Sequence, residues 1–102
     1  MIRIASASLE DYPKAEYHFR RAVSARPTCQ WMSVGLFNAL IRQRLWIAAM
    51  REILRLVRLC DSTEYRDLLS DEFIDGLREA GDFWRDVQRM AREAQQILAE
   101  RN

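Results

Sequence analysis

Apolar side chains recur at intervals of three and four residues along most of this chain, the spacing that places them on one face of an α-helix. The recurrence is clearest in four stretches, residues 12–25, 31–42, 46–60 and 82–100. Only three glycines and two prolines interrupt the 102 residues, which are too few turn signals for a fold of many short strands. The sequence therefore predicts an all-α fold in a single domain, residues 1–102, with one modest core.

The first of these stretches has recognisable signals at both ends. Asp11 suits the N-cap of its helix, Pro13 fits the first turn, and Pro27 follows the end. Residues 2–9, which precede it, are compatible with a short helix of their own.

A further apolar repeat runs through residues 62–80, between the third and fourth stretches. Residues 61–64 resemble a capping box at its start, and Ser70 offers a second N-cap inside it. Gly81 then separates this segment from the last helix. One long helix and two short helices both remain open for residues 62–80.

The chain repeats part of its own pattern at an offset of 34 residues. The pattern is an aromatic residue, a small residue, a large apolar residue and a second apolar or small residue, at steps of three, four and three. The matching pairs are Tyr12 and Trp46, Ala15 and Ala49, Phe19 and Ile53, and Ala22 and Leu56. Because a small side chain lets two helices approach closely, Ala49 is expected to be buried between helices.

With Pro27 closing its first copy, this pattern resembles the second helix of a tetratricopeptide repeat. Trp31, Val34 and Gly35 resemble the opening of the first helix of such a repeat. The resemblance covers residues 10–60, and the chain diverges from the family beyond them. It implies about two and a half stacked antiparallel helical hairpins, with five to six helices in all.

The same resemblance implies a function in protein binding, because the first helices of these repeats line a groove that receives a peptide or a partner helix. The expected partner-binding residues are Trp31, Val34, Asn38 and Arg42 on one helix and Tyr65, Leu69 and Glu72 on the next. Asn38 and Arg42, four residues apart, are suited to hold a backbone group or a carboxylate. The expected role is an adaptor, a chaperone-like protein or an assembly factor. A small inhibitor that blocks an enzyme would use the same kind of surface and remains open.

Residues that carry catalysis or bind metals are sparse. His18 is the only histidine, and Cys29 and Cys60 stand 31 residues apart, which matches neither a metal-ligand spacing nor a disulfide framework. No glycine-rich loop is present to hold phosphate. Four acidic residues share one predicted helix face with an interleaved arginine, which indicates a solvated surface; they are Asp71, Glu72, Asp75 and Glu79. We therefore expect no enzyme activity, no metal site and no cofactor.

Charge is divided unevenly along the chain, although the net value is only +1. Residues 1–60 carry 10 basic and 4 acidic side chains, whereas residues 61–102 carry 6 basic and 11 acidic ones. In the basic half, Arg51, Arg55 and Arg58 fall on one predicted helix face. Because such a face can bind phosphates, a helical nucleic-acid-associated or regulatory protein is the alternative function. The near-neutral net charge of the whole chain does not favour this alternative function.

No apolar run reaches the roughly 18 residues that a membrane span needs. The first residues also lack the apolar stretch of a signal peptide. We therefore expect a cytoplasmic protein without membrane contact.

The last predicted helix carries more apolar surface than one neighbouring helix covers. Phe83, Trp84 and Val87 are its expected self-association residues. The opposite charges of the two halves of the chain would orient two copies as they meet. The sequence therefore predicts a homodimer.

Overall fold

The computed structural model describes residues 11–59 and 66–101, and every regular element in these ranges is a helix. In chain order the elements are α1 (Tyr12–Ala25), α2 (Gln30–Arg42), α3 (Trp46–Leu59), a first 3₁₀-helix (Asp67–Leu69), α4 (Asp71–Asp75), a second 3₁₀-helix (Gly76–Phe83) and α5 (Trp84–Arg101). Four of them, α1, α2, α3 and α5, have at least 13 residues. The all-α prediction is confirmed, while the predicted count of five to six helices and the tetratricopeptide stacking stay predictions.

Helix α1 has the boundaries that its end signals predict. Asp11 stands at the N-cap, and its carbonyl accepts a bond from the N–H of Ala15 at 2.9 Å. Pro13 lies in the first turn, and the helix ends two residues before Pro27. The short helix considered for residues 2–9 lies outside the described residues.

The turn between α2 and α3 is a Schellman motif. The N–H of Arg44 donates to the carbonyl of Ile41, and the N–H of Leu45 donates to the carbonyl of Leu40, both at 2.9 Å. This pair of bonds places Arg44 at the position where a helix end turns left-handed, and its φ is 63°. Glycine is the usual residue there because a Cβ is strained at such an angle.

The core is built around α3, which packs against α2 on one side and α5 on the other. Along α3, Ala49, Ile53, Leu56 and Val57 are fully buried, so the predicted burial of Ala49 is confirmed. The residues of α5 that complete this interface share one stripe at three- and four-residue spacing; they are Val87, Ala91, Ala94 and Leu98. Burial of so many apolar side chains on one helix makes α3 the centre of the fold.

Residues 66–83 form three short helical elements, so the single long helix considered for residues 62–80 is absent from the described part of that range. Ser70 has extended backbone, and its hydroxyl accepts a bond from the N–H of Phe73 at 3.2 Å, so the restart at Ser70 is confirmed. Gly81 has non-helical backbone, with φ 63° and ψ −116°, and it interrupts the turn that leads into α5. The capping box considered at residues 61–64 lies outside the described residues.

These short helices are fixed to the long ones by side chains. The amide of Gln95 on α5 donates to the carbonyl of Leu69 at 2.7 Å and to the carboxylate of Asp71 at 3.1 Å. The ring of Phe73 lies 6.0 Å from that of Phe37 on α2, centroid to centroid. The segment of short helices therefore closes the core at one end of α2 and α5.

Helix α1 is peripheral and makes its main contact with α2. The ring of Phe19 lies over Gly35, where a Cβ would come within 2.4 Å of the ring. A polar link runs beside it, since the amide of Gln43 donates to the carboxylate of Glu16 at 2.9 Å. The hydrogen bond from Arg20 lowers the pKa of Glu16 below its ordinary value, burial opposes this shift, and the bond from Gln43 adds to it.

Among the described residues, no helix is both long enough and apolar enough to cross a membrane.

Candidate interaction site

A cleft of about 530 Å³ opens between the C-terminal end of α2 and the segment of short helices. Its lining residues come from three places in the chain: Asn38, Ile41, Arg42 and Arg44 from α2 and its turn, Trp46 from α3, and Glu72, Phe73, Gly76, Leu77 and Glu79 from the short helices. We refer to this surface as the cleft.

The cleft has an apolar base. Trp46 and Leu77 are buried, and Ile41 and Phe73 are half-buried beside them. Above Gly76 there is open space, because no atom lies within 4 Å of where its Cβ would stand. A ligand side chain can therefore reach apolar surface at this point without displacing a protein side chain.

The two sides of the cleft carry opposite charge. Arg42 and Arg44 project from α2 and its turn, and Glu72 and Glu79 project from the short helices across from them. All four side chains are exposed. Within the described residues, none of them forms an ion pair or a side-chain hydrogen bond. Both signs of charge are therefore free to pair with a binding partner.

The left-handed backbone of Arg44 is strained. A residue with a Cβ costs about 1–2 kcal/mol in this conformation, a cost that glycine would avoid. The side chain held at this position is an arginine that lines the cleft.

A smaller apolar groove of about 200 Å³ adjoins the cleft, and Arg44 lines both. Its other lining residues are Leu45, Trp46, Ile47, Ala48 and Phe83. Leu45 is 42% exposed and Phe83 is 51% exposed, and both side chains line the same groove. Charged and apolar contact surfaces thus meet at the corner between α2 and α3.

The cleft brings together three of the seven residues predicted to bind a partner, namely Asn38, Arg42 and Glu72. Towards the start of α2, Val34 lies about one turn and Trp31 about two turns before Asn38, and Trp31 is 66% exposed. Tyr65 is outside the described residues.

The prediction that Leu69 contacts a partner is wrong. Leu69 is only 4% exposed and belongs to the core, because α5 covers the first 3₁₀-helix. Its backbone carbonyl, rather than its side chain, makes the polar contact with α5.

Two of the three arginines of the predicted basic face of α3 contact nearby carboxylates. Arg55 bonds to Glu52 and also donates to the carbonyl of Pro27 at 3.0 Å. Arg58 forms an ion pair with Glu93 of α5. Arg51 lines a groove between α3 and α5 that also holds Asp86, Arg89 and Glu93, and it forms no ion pair with the described residues.

The Arg55 contacts belong to a polar network that periodicity could not reveal. The hydroxyl of Ser33, which is fully buried in α2, donates to the carboxylate of Glu52. Arg55 joins the same carboxylate to the carbonyl of Pro27 in the turn between α1 and α2. The network therefore fixes the turn to α3, and Arg55 has a structural contact rather than a free charge.

One of the three residues predicted for self-association, Val87, is not on the surface of α5. Val87 is fully buried against α3 and cannot meet a partner. Trp84 is half-buried, with the guanidinium of Arg78 5.7 Å from the centre of its ring. Phe83 alone of the three presents a largely exposed ring.

The residues considered for chemistry are dispersed on the surface. His18 is exposed on the outer side of α1, where its ring centre lies 5.5 Å from that of Tyr17. The acidic residues of the predicted carboxylate face are all exposed, and Asp75 lies 3.7 Å from Arg78. In the described ranges, no three histidine, cysteine or acidic residues are grouped as metal ligands would be.

Two residues of the site, Arg44 and Leu45, were not selected from the sequence. A signal for them was present, because the position two residues after the last residue of a helix usually turns left-handed. An arginine rather than a glycine at that position marks the turn as unusual.

No family model matches this chain, no curated protein matches it, and no solved structure matches it. The functional assignment therefore depends on the geometry and charge of the cleft.

Proposed function

We propose that this protein is an interaction module that binds a peptide segment or a helix of a partner protein in the cleft. The observation that carries the proposal is the pairing of an apolar base with charged sides that have no partners within the described chain. The proposed function involves no catalytic step. An adaptor, a chaperone-like protein, an assembly factor or an enzyme inhibitor could each work through such a site.

The chemistry of the cleft suits a peptide better than a small molecule. Asn38 and Arg42 offer donors for backbone carbonyls or a carboxylate, and Glu72 offers an acceptor on the other side. The base and the groove at Leu45 accept apolar side chains. A segment with apolar residues flanked by charges of both signs satisfies all of these surfaces together.

The alternative, nucleic-acid binding through the basic face of α3, is supported less well. Phosphate binding needs arginines that are free to release counterions, whereas Arg55 and Arg58 already contact carboxylates. Glu72 and Glu79 would also repel a phosphate backbone from the cleft. The proposal keeps the cytoplasmic location expected from the sequence, and two cysteines whose spacing matches no disulfide framework are compatible with it.

The test is a selection of peptides from a random displayed library on the immobilised protein, followed by calorimetry of the selected peptides. Three proteins are compared: the parent, Arg42→Glu and Lys14→Glu. Arg42 lines the cleft, whereas Lys14 is an exposed residue of α1, so both changes alter net charge equally at different places.

The expected result is that the selected peptides bind the parent and Lys14→Glu with similar affinity and bind Arg42→Glu at least about tenfold more weakly. Equal binding to all three proteins would show that the cleft is not the site. Strong, salt-sensitive binding of single-stranded or duplex DNA by the parent would favour the alternative.

A further inference from the structure

We propose that one partner of the cleft is a second copy of this chain, bound face to face across a two-fold axis. This inference rests on the proposed function and names the partner of the same surface. It also moves the predicted homodimer contact from the face of α5 to the cleft.

The charge pattern of the cleft is complementary to itself. One side carries Arg42 and Arg44, and the other carries Glu72 and Glu79. When a second copy is turned about a two-fold axis that runs along the cleft, between its two sides, the acidic side of that copy faces the basic side of the first copy, and the reverse holds at the other edge. Each charge contact therefore occurs twice, as in every isologous interface.

Apolar surface next to the cleft supplies the affinity that exposed charge pairs alone do not provide. Leu45 and Phe83 stand beside the cleft with about half of each side chain exposed, and both line one apolar groove. Exposed charge pairs contribute little affinity but fix orientation, whereas buried apolar groups hold two chains together. A contact that covers both surfaces would combine these two effects.

The alternative contact on α5 is weaker on the same grounds. Val87 is fully buried, and Arg78 lies against the ring of Trp84, so this helix face presents little free apolar surface. A head-to-tail contact between the two differently charged halves of the chain would leave open ends and continue into fibres. The two-fold contact through the cleft closes after two copies.

The experiment is analytical ultracentrifugation over a concentration series, at low and high salt, on five proteins. These are the parent, Arg42→Glu, Glu72→Arg, the double variant with both changes, and Lys14→Glu as the charge-matched control. All the altered side chains are exposed, and circular dichroism checks that each variant is folded.

The parent is expected to approach twice the monomer mass of 12.1 kDa at high concentration, with a dissociation constant that rises with salt. Each single reversal should raise that constant by about 100-fold, because one substitution introduces two like-charge contacts across the axis. The double variant should recover most of the affinity, since its charges are opposite again. Lys14→Glu should dimerise as the parent does.

A mass that stays at 12.1 kDa at every concentration would overturn the dimer. A double variant that fails to recover, or a control variant that dimerises as poorly as Arg42→Glu, would overturn the placement of the contact in the cleft. A chain that remains monomeric while Arg42→Glu abolishes peptide binding would refute the dimer and leave the proposed function standing.

Discussion

The α2–α3 hairpin buries many more side chains than helix α1 does. Seven residues of α3 are buried, and five of α2, whereas no residue of α1 is. The hairpin has neighbours on both sides, while α1 lies at the edge and uses one stripe against α2. The 34-residue repeat makes the contrast sharper, because corresponding residues of α1 and α3 have the same pattern in different surroundings.

This contrast teaches that a sequence pattern sets which face a helix can bury, and the number of neighbours sets how much is buried. Ala15 and Ala49 are equivalent in the repeat, yet Ala15 is half-buried and Ala49 is fully buried. We therefore expect the hairpin to unfold with the whole protein and α1 to open at lower free energy.

The largest expected effect compares two phenylalanines. Phe37→Ala should cost about 3–5 kcal/mol of unfolding free energy, because the ring is enclosed in the core and its loss leaves a cavity. Phe19→Ala should cost about 1–2 kcal/mol, since the half-buried ring loses less contact and water can fill the space. Urea denaturation followed by circular dichroism measures both. Equal costs would mean that α1 belongs to the same cooperative unit as the hairpin.

The next effect uses the repeat itself. Ala49→Leu should destabilise the protein by about 1–3 kcal/mol, because three extra heavy atoms must enter a site with no free surface. Ala15→Leu, at the equivalent position of α1, should cost less than about 1 kcal/mol, because its site is open on one side. Thermal melts of the two variants give the comparison. An Ala49→Leu protein that melts like the parent would contradict the close approach of α3 to its neighbours.

A smaller effect is a gain, rather than a loss, of unfolding free energy. Arg44→Gly should raise the unfolding free energy by about 0.5–1 kcal/mol, because relief of the left-handed strain exceeds the added entropy of the unfolded chain. Arg42→Gly, two residues earlier but inside α2, should lower it by about 1 kcal/mol. Denaturation curves of the pair isolate the backbone effect from the loss of charge. If both variants are destabilised alike, the turn does not hold Arg44 in a strained conformation.

The smallest effect concerns the link between α1 and α2. The folded pKa of Glu16 lies below its unfolded value, so the contribution of its contacts is complete above the ordinary value of 4.5 and is lost as pH falls through the folded pKa. An ion pair of this i,i+4 kind contributes about 0.5 kcal/mol. The protection of α1 amides from hydrogen exchange, corrected for the slower intrinsic exchange at low pH, should therefore fall before that of α3 as the pH falls below 4.5. In Glu16→Gln this acid-dependent difference should disappear.

Local features of the fold were predictable because local residues decide them. Asp11 and Pro27 delimit α1, and Ser70 begins α4, as capping and proline sterics require. The break at Gly81 was visible as well, although the 3₁₀ turns on either side of it were not. The contact of Gln95 with the carbonyl of Leu69, 26 residues earlier, was not predictable either.

Residues of the site were only partly predictable, because the partner of a side chain is often distant in sequence. Leu69 and Val87 have the spacing of surface contacts and of core residues alike, and only the placement of α5 and α3 decides between them. Arg58 appears free until the fold brings Glu93, 35 residues later, beside it. Asn38, Arg42 and Glu72 were grouped through the resemblance to tetratricopeptide repeats, which implies that the first helices of successive repeats line one groove.

The network that joins Ser33, Glu52 and Arg55 to Pro27 also has a mechanical consequence. A pulling force applied at the N-terminal end would peel α1 from α2 one turn at a time, because its contacts break in sequence rather than together. The peeling would stop at the Pro27 carbonyl, where Arg55 ties the turn to the buried helix α3. Force spectroscopy should record a weak first step followed by a stronger one, and Arg55→Ala should lengthen the first step, because peeling then continues past Pro27.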